Sequence, residues 1–379
     1  MKKHLLVGLL AITGCVTVIA CNNKQDMSTR TKFPWVANVT APRNYPVEVK
    51  YSFVGFGQGQ KYPIMSSFAN AGIGISKGEV SFADLDGEGL DMPNRLEVLW
   101  LSYTERKFYK ADIAFSERLQ TKILNSFREG YYNKFTKKQE TYSCFLVTLL
   151  PGGKIWLYLN GTARYSLVCD TLQADTINME LGDFDKDALL VDSTVEDYCK
   201  GNLNEEQAVN LKKNGVPYGL WSKYQERFNY DIEFEFEDKN CKLDSNTVVY
   251  EYINGEFNYA CDGVKVEDRS RPKQLYLKWN VADTTYTGEF FFDEQEVLDV
   301  FSKGFKNSVA NVRGTFMVKV SKYNNRFDIY LQVGSKRIAL TQTKIHVFRD
   351  TPLHLKEDEE PFYNNHQDVY SGDIHFVGE

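Results

Sequence analysis

The sequence is poor in the features that mark nucleic-acid, metal or membrane-interior proteins. Lys and Arg number 45 against 51 Asp and Glu in 379 residues, a net charge of −6 with no basic stripe, so no nucleic-acid partner is expected. No long apolar run follows residue 21, and the mean hydropathy of −0.42 excludes a multi-span membrane protein. Histidine is scarce: beyond the first residues only His346, His354, His366 and His375 remain. There is no His-Glu-x-x-His motif and no Cys/His ligand spacing, so zinc is not expected. Gly55-x-Gly57-x-Gly59 lacks a surrounding βαβ unit and is not a dinucleotide fingerprint. No cofactor is expected. What is abundant is aromatic: 23 Tyr and 25 Phe suit pleated sheets with one face buried.

Residues 1–20 read as a targeting segment. Lys2 and Lys3 precede an apolar stretch, Leu5 to Val18, too short to span a bilayer. It ends Val18-Ile19-Ala20-Cys21, which resembles a bacterial lipobox. That resemblance implies cleavage before Cys21 and acylation of Cys21, a stable membrane anchor. Residues 21–32 then form a polar tether. The expected location is the bacterial cell envelope, as an outer-membrane lipoprotein.

Seven cysteines are present. With Cys15 in the signal and Cys21 lipidated, Cys144, Cys169, Cys199, Cys241 and Cys261 remain. Cys241 and Cys261 flank a hairpin and are the expected disulfide; Cys169 with Cys199 is a second pairing, and sequence does not fix the connectivity. Cys144 lies in an apolar run and reads as a small core residue.

Hydropathy periods give the architecture. Tyr45 to Phe53 alternates as a half-buried strand, and Leu96 to Trp100 and Phe108 to Phe115 form a strand pair. Ser116 as N-cap, Leu119, Ile123 and Phe127 at helical spacing, and Gly130 at the end predict one amphipathic helix. Tyr142–Leu150 and Lys154–Leu159 follow as strands around Pro151-Gly152-Gly153. Leu275 to Phe305 repeats the strand–strand–helix, Trp279 echoing Trp100. Trp221 with Tyr230 to Phe236 mirrors Trp35 with Tyr45 to Tyr51. The expected fold is α+β: two tandem antiparallel sheet domains, 33–170 and 217–350, each with one helix inserted between hairpins. Residues 171–216, acidic and poor in aromatics, read as a linker with one short helix capped by Asn204, and 351–379 as an extended or loosely docked tail.

Leu96, Trp100, Leu101, Ser102, Tyr103, Glu105, Lys107, Phe108 and Tyr109, the helix, Pro151-Gly152-Gly153 and Gly161 together resemble the DUF2931 family of bacterial lipoproteins. The resemblance covers roughly residues 33–170; the second copy lacks the charged turn and the Pro-Gly-Gly. It implies an envelope lipoprotein and carries no catalytic residues.

Five local patterns are candidates for chemistry. Tyr103, Glu105, Arg106 and Lys107 form a charged, aromatic turn that could serve as a binding edge. Asp84, Asp86 and Glu88 resemble half of a calcium loop but lack the twelfth-position acid, and Asp183, Asp185 and Asp187 share the spacing without the glycine. Gly74-x-Ser76-x-Gly78 matches a nucleophile elbow, yet a strand rather than a helix is expected after it. Thr171, Thr176, Ser193 and Thr284 each follow an Asp and precede an apolar residue or Thr, resembling Bacteroides-type O-glycosylation sites. With no converging catalytic set, the expectation is a non-enzymatic, lipid-anchored binding module for an envelope protein or a glycan. The alternatives are an enzyme with a site between the domains and a secretion-system immunity or assembly lipoprotein.

Overall fold

The computed structural model describes residues 27–64, 72–77, 89–188, 194–306, 312–351, 360–366 and 374–379. Cys21, Asp84, Asp86, Glu88 and Ser193 lie outside the described residues. The first half contains β1 (Lys32–Phe33), β2 (Val36–Thr40), β3 (Val47–Phe56), β4 (Gln60–Pro63), β5 (Leu90–Asp91), β6 (Pro93–Ser102), β7 (Lys107–Ala114), α1 (Glu117–Glu129), β8 (Tyr131–Asn133), β9 (Lys138–Glu140), β10 (Cys144–Leu150), β11 (Lys154–Asn160), β12 (Arg164–Gln173) and β13 (Asp175–Ile177). Four helices follow: α2 (Leu181–Phe184), α3 (Val195–Gly201), α4 (Glu205–Asn214) and α5 (Leu220–Gln225). The second half contains β14 (Phe228–Phe236), β15 (Lys242–Tyr252), β16 (Phe257–Tyr259), β17 (Asp268–Arg269), β18 (Pro272–Val281), β19 (Thr284–Phe291), α6 (Glu294–Phe305), β20 (Gly314–Val320), β21 (Phe327–Val333), β22 (Lys336–Leu340), β23 (Lys344–Asp350) and β24 (Glu360–Asn364). The fold is α+β.

Strand orders in the two halves correspond. The first half has β2-β10-β11-β12 in one sheet and β13-β7-β6-β3-β4 in another. The second half has β14-β20-β21-β22, extended by β17, and β16-β15-β18-β19-β23, extended by β24. Each half keeps one parallel pair, β2 with β10 and β14 with β20, so the sheets are not purely antiparallel. This pairing corrects the sequence match between 230–236 and 45–51: β14 takes the place of β2, not of β3. Period-2 alternation cannot tell one half-buried strand from the next.

The halves are not separate domains joined by a linker. β12 pairs with β16 through Arg164↔Asn258 and Tyr165↔Phe257, fusing a sheet from each half into one of ten strands. The described residues of the interval 171–216 form a folded layer rather than a tether. Its first residues complete β12, β13 pairs with β7, and α2 and α3 bury Leu181, Phe184, Tyr198 and Cys199 on Leu99, Leu101, Tyr103 and Phe108. Sparse aromatics concealed it because each short helix contributes only a few anchors. The described residues of the tail are docked: β24 pairs with β23, and Phe376 and Glu379 are buried.

The helices sit where their caps place them. In α1 the Ser116 side chain accepts from Leu119 N, and Leu119, Ile123 and Phe127 are buried on the sheet. Gly130 ends it at φ 58°, where a Cβ would lie 2.1 Å from the Glu140 carbonyl oxygen. In α6 the Asp293 side chain accepts from Glu296 N, and Val297, Leu298 and Phe301 are buried. One core lies inside the first half. A second, larger core joins Leu146, Trp156 and Tyr158 of the first half to Trp221, Trp279, Phe301 and Phe316 of the second.

Candidate functional site

The charged turn is an internal brace. Tyr103 is buried, and its hydroxyl donates to Glu48 Oε2 at 2.8 Å, which also accepts from Tyr198 of α3 at 2.7 Å. Burial, reinforced by the Glu48 charge, pushes the Tyr103 phenol far above its ordinary pKa, so it stays a donor. Glu105 accepts from the Tyr109 hydroxyl at 2.9 Å and from Gly152 N at 3.0 and 3.2 Å. It thereby ties the turn to the Pro151-Gly152-Gly153 hairpin. Arg106, at φ 57°, pairs with Glu196 of α3 at 2.9 Å. Arg106 and Lys107 are exposed and Glu105 is half-buried, while Tyr103 and Thr104 are buried, so most of the turn faces inward.

The other sequence candidates are dispersed. Cys241 and Cys261 are free thiols: Cys241 Sγ faces Asn324 Oδ1, whereas Cys261 Sγ faces the Asn246 carbonyl, farther along β15. The expected disulfide is therefore not formed; the two cysteines flank the hairpin in sequence but not in space. Cys169 and Cys199 are also free. Asp185 caps Asp187 N at 2.9 Å, and no group of three or more metal-ligating side chains gathers among the described residues. Ser76 is buried beneath the Gly255 turn, its carbonyl accepting from Asn160 Nδ2 at 2.9 Å, and is not presented as a nucleophile. Thr171 and Thr176 are exposed, and Thr284 is half-buried.

The structure instead brings charge together at the seam between the halves. Glu379 is buried there, with Lys273 Nζ at 2.5 Å, His375 Nδ1 at 3.6 Å and Lys77 Nζ at 3.8 Å. Arg43 N donates to the Glu379 carbonyl at 2.6 Å, and Trp221 Nε1 donates to the Gly378 carbonyl at 3.0 Å, so the segment is tied to both halves. Burial alone would raise the Glu379 pKa; the His375 and Lys273 contacts win and bring it down to about 2. Glu251 also approaches Lys273, at 3.9 Å. The cavity beside them is about 30 Å³, room for one water. A carboxylate held ionised in a closed seam is a structural lock and not a general acid at neutral pH.

On the other side of β12 the seam opens into a polar pocket of about 340 Å³. Helix α1 contributes Lys122, Ser126 and Glu129, β12 contributes Arg164, Ser166 and Asp170, and the second half contributes Arg227 and Glu256. Its three cations are held by partners. Arg164 is ion-paired with Asp262, and Arg227 with Glu256 at 2.8 Å. Lys122 Nζ donates to the Val168 carbonyl at 2.7 Å, and burial with Arg227 nearby pushes its ammonium pKa down. Tyr142 and Ser166 hydroxyls are 2.8 Å apart. Donors and acceptors of both signs thus surround a space at the lower end of ligand-pocket sizes. Sequence reasoning missed this site because its residues come from three distant segments that only the β12–β16 pairing brings together.

The family model described as Protein of unknown function (DUF2931) matches residues 20–219, just over half of the chain, and the chain belongs to that family. No curated protein and no solved structure matches it.

Proposed function

We propose that this DUF2931 protein is a lipid-anchored envelope protein that binds a small, neutral, polyhydroxylated ligand, a glycan end, in the polar pocket at the seam. The observation that carries this reading is the lining itself: three cations and three carboxylates alternate with hydroxyls around one space, suiting a ligand rich in hydroxyl donors and acceptors rather than a net charge. The anchor rests on the lipobox ending at Cys21; no helix among the described residues is long and apolar enough to cross a membrane. The exposure of Thr171 and Thr176 supports the proposed modification of those residues.

Calorimetric titration of the chain from residue 22 with neutral and anionic oligosaccharides tests the binding reading. Saturable binding of a neutral sugar, abolished by Ser126→Trp, which fills the pocket, is the expected result. Binding unaffected by Ser126→Trp, or no binding by any sugar, would remove it. Metabolic labelling with palmitate, lost in Cys21→Ser, tests the anchor independently.

A further inference from the structure

The correspondence between the halves leaves one edge unmatched. In the first half, β12 is the last strand of its sheet, and its outer edge is taken by the short strand β16. There Glu256 accepts from Leu167 N at 3.2 Å and from Arg227 at 2.8 Å, and the Phe257 ring meets Tyr165 at 5.2 Å. In the second half β22 holds the same place, and among the described residues its outer edge has no strand partner. Beside it runs a groove of about 460 Å³ lined by Arg326, Asp328, Tyr330, Arg337, Thr343 and Tyr363. The Arg337 guanidinium lies 3.6 Å over the Tyr330 ring, and neither Arg326 nor Arg337 has an ion-pair partner among the described residues. Thr343, 5 % exposed, closes the groove wall.

We infer that the β22 edge and its groove accept an extended peptide segment of a partner protein, carrying an acidic residue followed by an aromatic one. The chemistry is read from the edge already filled: backbone pairing supplies the docking, as in strand addition elsewhere. An acidic side chain meets Arg337, which lines the groove, as Glu256 meets Arg227 at the seam. An aromatic ring joins the Tyr330–Arg337 stack, as Phe257 joins Tyr165. Lys336 and Arg337 also protect an exposed edge strand by charge. That protection accounts for the two cations but not for the groove or for Arg337 stacked on Tyr330 within it.

The test uses a labelled heptapeptide with the sequence of residues 254–260, titrated into the full chain from residue 22 while amide exchange is followed. Saturable binding that slows exchange at Lys336–Leu340, weakens about tenfold in Arg337→Glu and weakens with salt is the expected result. Ala339→Pro, which removes an edge N–H, lowers affinity without relying on charge. Absence of binding, slowed exchange at Arg164–Gln173 instead, or affinity unchanged in Arg337→Glu would overturn the inference.

Discussion

Strands β10 and β20 hold the same place in the two halves, yet they read differently. Cys144–Leu150, Cys-Phe-Leu-Val-Thr-Leu-Leu, is buried at every position; Gly314–Val320, Gly-Thr-Phe-Met-Val-Lys-Val, alternates buried and half-buried. Their partners differ in the same way: β11 is buried at every position after Lys154, while β21 alternates. The cause is coverage. One face of β10–β11 meets its own half's core through Phe145, Val147, Leu157 and Leu159. The other meets the second half through Leu146, Trp156 and Tyr158. Met317, Asp328 and Tyr330 stand on the corresponding second face of β20–β21, which borders the open groove. A continuous apolar run thus records a strand covered twice, and alternation records one covered once. The two halves share a strand order, and the seam makes them unequal.

The largest effect expected from breaking that inequality is a charge on the doubly covered face. Leu146→Asp strands a carboxylate in the shared core and should cost about 4 kcal/mol or more, or prevent folding. Met317→Asp at the matching position should stay within about 1 kcal/mol. Urea denaturation of both variants checks the pair, and equal losses would refute the coverage argument.

The lock that holds the unequal halves together comes next. With its folded pKa depressed from 4.5 to about 2, ionised Glu379 contributes stability present above pH 4.5. That contribution fades as the pH falls toward 2. Glu379→Gln should therefore lose about 3 kcal/mol at pH 7 and converge on the parent protein near pH 2. Denaturation at a series of pH values reads both; a pH-independent difference would mean the carboxylate is not held ionised by Lys273 and His375.

A smaller contrast separates the two hairpin turns. Glu105→Ala leaves Gly152 N–H and the Tyr109 hydroxyl without their acceptor and should cost about 1–2 kcal/mol. Asp283→Ala in the exposed turn between β18 and β19 should change stability by less than about 0.5 kcal/mol, measured in the same way.

Local chemistry was legible in the sequence where it is self-contained. Ser116 and Gly130 bound α1, Asn204 with Gln207 forms the capping box of α4, and Asp293 caps α6, because caps act within a few residues. The hairpins around Pro151-Gly152-Gly153 and Asn254-Gly255 stand where turn residues put them. Relations between distant segments were not legible. Trp221 reads like Trp35 in pattern, but it lies in helix α5. Cys241 and Cys261 flank a hairpin but diverge in space. The pocket residues Lys122, Arg164 and Arg227 carry no shared spacing, and Glu379 gives no sign in sequence of the lysine and histidine that hold it. The aromatic-poor interval 171–216 looked like a linker because composition reports average burial and not the few contacts, Phe184 and Tyr198 among them, that fasten a short helix.

The central claim is that the seam makes two matched halves into one cooperative unit. Scanning calorimetry of the chain from residue 22 tests it most directly. The expected result is a single transition whose van't Hoff and calorimetric enthalpies agree. Two separable transitions, one of them surviving intact in Leu146→Asp, would contradict it.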